Sequence, residues 1–251
     1  RFRNVTGVQT CALPISAGTI YGMRLGTNSG NTDYGQGTEI GKGVWAAIDA
    51  LTYQDANQNI ILRNAQTALK LTGYYRPEDL EIDPIALDKG ITRFCVANTG
   101  RTTHAANSQV ENAATYGEVI CVVDEPAAAA VSGHRPFATR FVAGDPDASH
   151  FDNLAFQPKT GALVILEDGS TVSSNGTADV PRGNDIWMAL PDGADRDIQS
   201  DGLIRILSLK DTDSEPTGWI FDASGTTAYV NLQHRATGLG AVLKITGFKV
   251  K

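Results

Sequence analysis

Three stretches of the chain follow one pattern, and that repetition limits the fold more than any other feature. Leu80-Glu81-Ile82-Asp83 leads through Gly90 to Phe94-Cys95-Val96. Leu154-Ala155-Phe156-Gln157 leads through Gly161 to Leu163-Val164-Ile165, and Trp219-Ile220-Phe221-Asp222 leads through Gly225 to Ala228-Tyr229-Val230. Each reads as a strand, a turn closed by glycine and a returning strand. Further β-rich runs at 117–123, 185–190, 202–209 and 240–246 follow the units. Short strands punctuated by Gly, Asp, Asn and Pro suit sandwiches, barrels and propellers alike. Repetition of the whole unit favours an all-β chain that is a partial β-propeller. The anchors Asp83, Gln157 and Asp222 lie 74 and 65 residues apart, longer than a compact blade, so loops are inserted between strands. With strands before Gly73, three to four blades are predicted. One helix or helical turn is predicted over 59–71, where Ile60, Ile61, Leu62, Ala65, Ala68 and Leu69 recur at helical spacing.

The anchors also locate a site. Counting back five residues from each lands on Glu78, Asp152 and Thr217, with Glu215 two residues earlier. In a propeller the innermost strands begin beside a common axis, so these positions converge, and the second strands return to the same face. Their ends carry Asn98 and Thr99, then Glu167 and Asp168, then Asn231, Gln233 and His234. Carboxylates gathered this way raise one another's pKa values unless cations separate them, and calcium accepts six to eight such oxygen ligands. Acids that merely solvate turns are the alternative reading, left open by the residues alone. His234 reads first as structural, and His104, His134 and His150 lack ligand spacing.

A net charge of -7 argues against a nucleic-acid partner, whereas a phosphate-bearing substrate is admissible if cations or an arginine reverse the local field. No run of 18 apolar residues predicts a membrane span. Cys95 and Cys121 sit in apolar strand-like runs. Free buried thiols are the expectation, with a disulfide the alternative if the two runs pair. Residues 5–15 resemble a translated sequencing adapter, which sets 1–15 aside as an artefact and leaves 16–251 as one incomplete domain. The missing N-terminal part would then hold any export signal.

Tyr75-Arg76-Pro77-Glu78-Asp79-Leu80-Glu81-Ile82-Asp83-Pro84 resembles the Arg-Pro-Glu-Asp segment of the PhoX-type alkaline phosphatases. Asp152-Asn153-Leu154-Ala155-Phe156 with Leu166-Glu167-Asp168-Gly169, and Glu215-Pro216-Thr217-Gly218 with Tyr229-Val230-Asn231-Leu232-Gln233-His234, match in the same order. The resemblance implies the C-terminal part of a six-bladed propeller, a secreted or periplasmic enzyme that hydrolyses phosphate monoesters with several calcium ions, iron being open, and acts as a monomer. It implies that Arg76 clamps phosphate and that Glu78 binds metal. Asp152, Glu167 and Glu215 are the other metal candidates, with Asp168, Asn231 and His234 as second choices. Because other family ligands precede this part, the fragment alone is expected to be inactive. A calcium-dependent lactonase and a non-enzymatic calcium-stabilised propeller are the alternatives.

Overall fold

The computed structural model describes residues 18–26, 39–57, 59–100, 116–126, 128–130, 133, 135–169, 183–193, 198–211, 214–234 and 238–250. Residues 1–15, His104 and His134 lie outside these. The described chain is all-β, its strands being β1 (Ile20–Leu25), β2 (Gly41–Ile48), β3 (Pro77–Ile82), β4 (Thr92–Asn98), β5 (Glu118–Asp124), β6 (Pro136–Ala143), β7 (Phe151–Phe156), β8 (Leu163–Glu167), β9 (Asp185–Ala189), β10 (Leu203–Ser208), β11 (Glu215–Phe221), β12 (Thr227–Gln233) and β13 (Ala241–Thr246). Two short helices, α1 (Leu62–Leu69) and α2 (Pro84–Asp88), complete it. Among the described residues no helix is long and apolar enough to cross a membrane.

Three antiparallel sheets result, ordered β1-β2-β6-β5-β4-β3, β7-β8-β9-β10 and β11-β12-β13. All three sequence units form the expected hairpins, β3–β4, β7–β8 and β11–β12. Their first strands are the edge strands of the three sheets, and β7 lies against both β3 and β11. Among the described residues the strands before Gly73 make no further sheet of their own. The β1–β2 hairpin instead extends the first sheet, β2 meeting β6 at Gly41 opposite Ala138 and Lys42 opposite Phe137.

Apolar packing between sheets positions the edge strands. Leu154, Phe156, Leu163, Ile165, Trp187 and Ala189 of the second sheet pack on Cys95, Ala97, Val119, Cys121 and Phe141 of the first. The opposite face, Ala155, Val164, Leu166 and Ile186, packs on Trp219, Ala228 and Val230 of the third. The second sheet is thus buried on both sides, which is why β8 reads as a continuous apolar run. Truncating a buried side chain such as Ile165 to Ala in a layer of this kind costs about 2–5 kcal/mol.

Cys95 and Cys121 stand directly opposite each other in the β4–β5 register and form a disulfide. This corrects the expectation of free thiols: the two runs are neighbouring strands in register, so both side chains emerge on the same buried face. Closing a separation of 26 residues constrains the unfolded chain by about 3 kcal/mol. The α2 turn was not expected, although Asp83-Pro84 signals it. The Asp83 carboxylate accepts from the Ile85 and Ala86 amides at 2.9 and 3.1 Å, and Pro84 opens the helix. The α1 helix falls inside the expected 59–71, shortened because Ile60 bridges to Gln54 instead.

The repeat glycines Gly90, Gly161 and Gly225 all sit at φ +73°, the left-handed conformation that closes each turn. A Cβ at Gly90 meets open space, whereas at Gly161 it would lie 3.2 Å from Ile85 Cγ1 and at Gly225 3.0 Å from Val250 Cγ1. Gly90→Ala should therefore cost about 1–2 kcal/mol, the left-handed penalty alone. Urea titrations of the three variants check this: Gly161→Ala and Gly225→Ala should cost more than Gly90→Ala, because Ile85 and Val250 must also give way.

Candidate metal and phosphate site

Each edge strand is interrupted where the sequence units place the candidate residues. On β3 the register passes from Pro77 opposite Asn98 to Leu80 opposite Val96, leaving Glu78 and Asp79 against the single residue Ala97. On β7 it passes from Phe151 opposite Glu167 to Asn153 opposite Leu166, with Asp152 extra. On β11 it passes from Thr217 opposite Asn231 to Trp219 opposite Val230, with Gly218 extra at φ +62°. A bulge releases a residue from the ladder and re-aims its side chain. The places found by counting residues therefore lie in a bulge, for Glu78 and Asp152, or directly beside one, for Thr217.

Around them the backbone is held in uncommon conformations. Arg76, His150 and His234 have φ of +50°, +54° and +54°, each just outside a strand that frames the site, a cost of order 1–3 kcal/mol apiece that the surroundings must impose. The Arg76 carbonyl accepts from the Thr99 amide at 3.0 Å, and the His150 carbonyl accepts from the Asp168 amide at 2.8 Å.

These constraints gather charge from all three sheets. Arg76 Nη2 donates to Asp168 Oδ2 at 3.2 Å, and its Nε lies 3.7 Å from Glu78 Oε1. Burial first, then the nearby carboxylates Asp168, Glu78 and Glu215, push the Asp152 carboxyl up to about 7, with Arg76 pulling it back. Thr99 Oγ1 donates to Asp152 Oδ1 at 3.5 Å. Burial also raises Glu215, again with Asp168 and Glu78 adding to the shift. Gln233 Nε2 donates to Glu215 Oε1 at 2.8 Å, and His234 Nε2 lies 3.5 Å from Oε2; both lower it. Four carboxylates thus share one field with one guanidinium. Among the described residues no three acidic, His or Cys side chains close tightly enough to ring a single ion.

The other sequence candidates lie around this group or apart from it. Asn231 stands opposite Thr217, its Nδ2 3.3 Å from where a Cβ on Gly218 would be. Glu167 is turned away. It is fully buried, and its carboxylate accepts from the Ser149 amide at 2.9 Å, the Asp185 amide at 2.9 Å and Trp187 Nε1 at 3.0 Å. Strand alternation explains this, because Glu167 continues the Leu163 and Ile165 face into the core between the first two sheets. Asp168, the second choice, is the one beside Arg76. His150 is buried, with Nδ1 3.1 Å from Ser149 Oγ. Asp79 and Asn153, each one residue past a bulged acid, were not singled out from the sequence; their signal was position within the repeat.

A carboxyl whose folded pKa is raised binds its proton more readily in the folded state. Its contribution to stability is therefore full below the ordinary value of 3.8 and is lost as pH rises through about 7. In chelator, Asp152→Asn should melt close to wild type near pH 4 and above it beyond pH 7, the gap opening across that window. Melting curves at stepped pH check this, and a gap that does not change with pH would mean that Asp152 is not strained by its neighbours.

A family model described as alkaline phosphatase PhoX matches residues 8–236 of the 251. No curated protein matches the chain, nor does any solved structure. The matched span takes in Arg76, the three bulges and both acids that follow β8 and open β11, so the chain belongs to the alkaline phosphatase PhoX family.

Proposed function

We propose that this chain supplies part of an exported, calcium-dependent phosphomonoesterase, built as an arc of a β-propeller with its site at the axis end of β3, β7 and β11. Three successive antiparallel sheets with their first strands side by side support the propeller reading. The family membership and the Cys95–Cys121 disulfide support export, since disulfides persist in oxidising compartments. The observation that carries the functional reading is Arg76 held among four carboxylates drawn from all three sheets, in a chain of this family.

The donor set suits hard cations. Glu78, Asp152, Asp168 and Glu215 offer only oxygen, and a cation would offset both the burial and the repulsion among them that raise the Asp152 and Glu215 carboxyls. Because no three of the described side chains ring one ion, these four are proposed as ligands divided among several calcium ions, with Asn231 as a further oxygen donor. Glu167 is assigned to the core, His234 to holding Glu215. Bound there, calcium would polarise a phosphoryl oxygen and offset charge on the attacking and leaving oxygens.

Arg76 does the rest from the protein's side. Its guanidinium is a planar fork that fits two oxygens of a phosphoryl group, and the half-exposed side chain is reachable from solvent. A phosphate monoester can take over the fork from Asp168, exchanging one anionic partner for another. Arg76 is already fixed at its backbone by the Thr99 amide, so little is reorganised when substrate arrives. Glu78, two residues on and re-aimed by the β3 bulge, faces the same space.

Arg76→Ala should lower phosphatase turnover by roughly thirty- to a thousand-fold, the loss expected for a charge clamp worth about 2–4 kcal/mol. Arg76→Lys should recover only part of it. The melting temperature should change little, because Ala carries the same left-handed backbone cost as Arg. Steady-state kinetics on a chromogenic phosphomonoester in calcium, with melting curves, test this on the longest natural form that carries these residues. Unchanged turnover in the Ala variant, or activity unaffected by chelation, would return the site to a structural role.

A further inference from the structure

The bulges leave polar groups that the sheets cannot satisfy. β7 is the edge of its sheet, so the amides on its outer side have no ladder partner. Gly218 is likewise outside the β11–β12 register. Leu154 is buried and its amide needs an acceptor, whereas Gly218 is exposed; both find one in the neighbouring unit. Asp79 Oδ2 accepts from the Leu154 amide at 2.9 Å, across 75 residues of sequence. Asn153 Oδ1 accepts from the Gly218 amide at 3.3 Å, across 65 residues.

The two acceptors occupy equivalent places. Asp79 directly follows the bulged acid Glu78, and Asn153 directly follows the bulged acid Asp152. Each reaches forward to the next unit within two residues of that unit's own site position, Leu154 being two after Asp152 and Gly218 one after Thr217. In the third unit the same place is Gly218, which has no side chain to act as acceptor and takes part only as the amide donor to Asn153. A one-way relay of side-chain acceptors therefore runs from β3 to β7 to β11 at the level of the carboxylates. The apolar layers hold the sheets face to face, but dispersion and hydrophobic contacts are not directional along a strand. These two hydrogen bonds are directional.

We infer that Asp79 and Asn153 are positioning residues of the site, acting by fixing the bulged segments of successive units against each other so that Glu78, Asp152 and Glu215 keep their mutual spacing. This rests on the calcium-dependent reading given above. Neither side chain needs to touch the ion or the substrate. Asp79 Oδ2 is taken by Leu154, and Oδ1 accepts from the Leu80 amide at 2.8 Å. Outer hydrogen bonds that orient ligands commonly carry 10–100-fold in metal affinity or rate.

The experiment is calcium titration by calorimetry together with amide hydrogen exchange on Asp79→Ala, Asp79→Asn and Asn153→Ala, alongside wild type. Asp79→Ala should weaken calcium binding about 10–100-fold and speed exchange at the Leu154 amide. Asp79→Asn, which keeps one acceptor oxygen for two amide donors and loses the charge, should recover part of both, calcium affinity returning in step with protection of the Leu154 amide. Asn153→Ala tests the next junction independently, with faster exchange at Gly218 and weaker calcium binding, and serves where Asp79→Ala does not fold. If Asp79→Asn binds calcium as poorly as Asp79→Ala while Leu154 stays protected, Asp79 acts by its charge and the inference is overturned. Wild-type calcium affinity in both Ala variants overturns it as well, leaving the function intact. Wild type that binds no calcium overturns both readings together.

Discussion

The burial of the second sheet on both of its faces is the constraint on which the site depends. Leu163 and Ile165 press toward the first sheet, Val164 and Leu166 toward the third, and no solvent-facing side remains to let β8 shift. Since β7 pairs with β8 along its length, the position of Asp152 is inherited from that packing. A slip of one residue would exchange the two faces of the strand. Both faces being apolar, that exchange would be cheap for β8 alone. What forbids it is the Glu167 carboxylate, which must stay with the Ser149 and Asp185 amides and the Trp187 indole. A buried carboxylate without donors is strongly unfavourable, so one charged residue sets the register of an otherwise ambiguous strand.

The three hairpins were legible in the sequence because short strand-like runs and a closing glycine are local signals, and Gly90, Gly161 and Gly225 adopt the same backbone angle. The pairing of Cys95 with Cys121 was not, because it depends on which strand lies beside which. The choice between Glu167 and Asp168 was hidden for a different reason: β8 is apolar on both faces, so no alternation marks which of the two acids points inward. The bulges were half legible. Counting from the anchors found Glu78, Asp152 and Thr217, yet the register change that makes those places special is a property of two strands together. The strands before Gly73 read as a further unit, and only their attachment to the β6 edge shows otherwise.

Function and stability meet at the same atoms. Burial first, and then the shared field of Glu78, Asp152, Asp168 and Glu215, raises the carboxyls of Asp152 and Glu215, so in the absence of cations the folded chain holds protons it would release when unfolded. A fold selected for stability alone would replace at least one of them. Arg76 offsets part of the repulsion through Asp168, but its own backbone sits in a conformation few L-residues adopt. The disulfide and the two-sided core supply the stability against which this strain is held.

Because the four carboxylates come from three sheets, whatever satisfies them also joins the sheets. A cation that binds the folded arrangement and not the unfolded chain adds stability as RT ln(1 + [L]/Kd), about 2.7 kcal/mol at a hundredfold excess over Kd. That free energy acts on the relative placement of β3, β7 and β11, where the apolar layers are least directional. The same reciprocity runs in the other direction. Any change that lets one sheet move against its neighbour, even in the core far from Arg76, raises the cost of assembling the ligand set and weakens binding by the same free energy. Site and fold are therefore one equilibrium: Asp79 and Asn153 hold at the level of hydrogen bonds what Ile165 and Val164 hold at the level of packing.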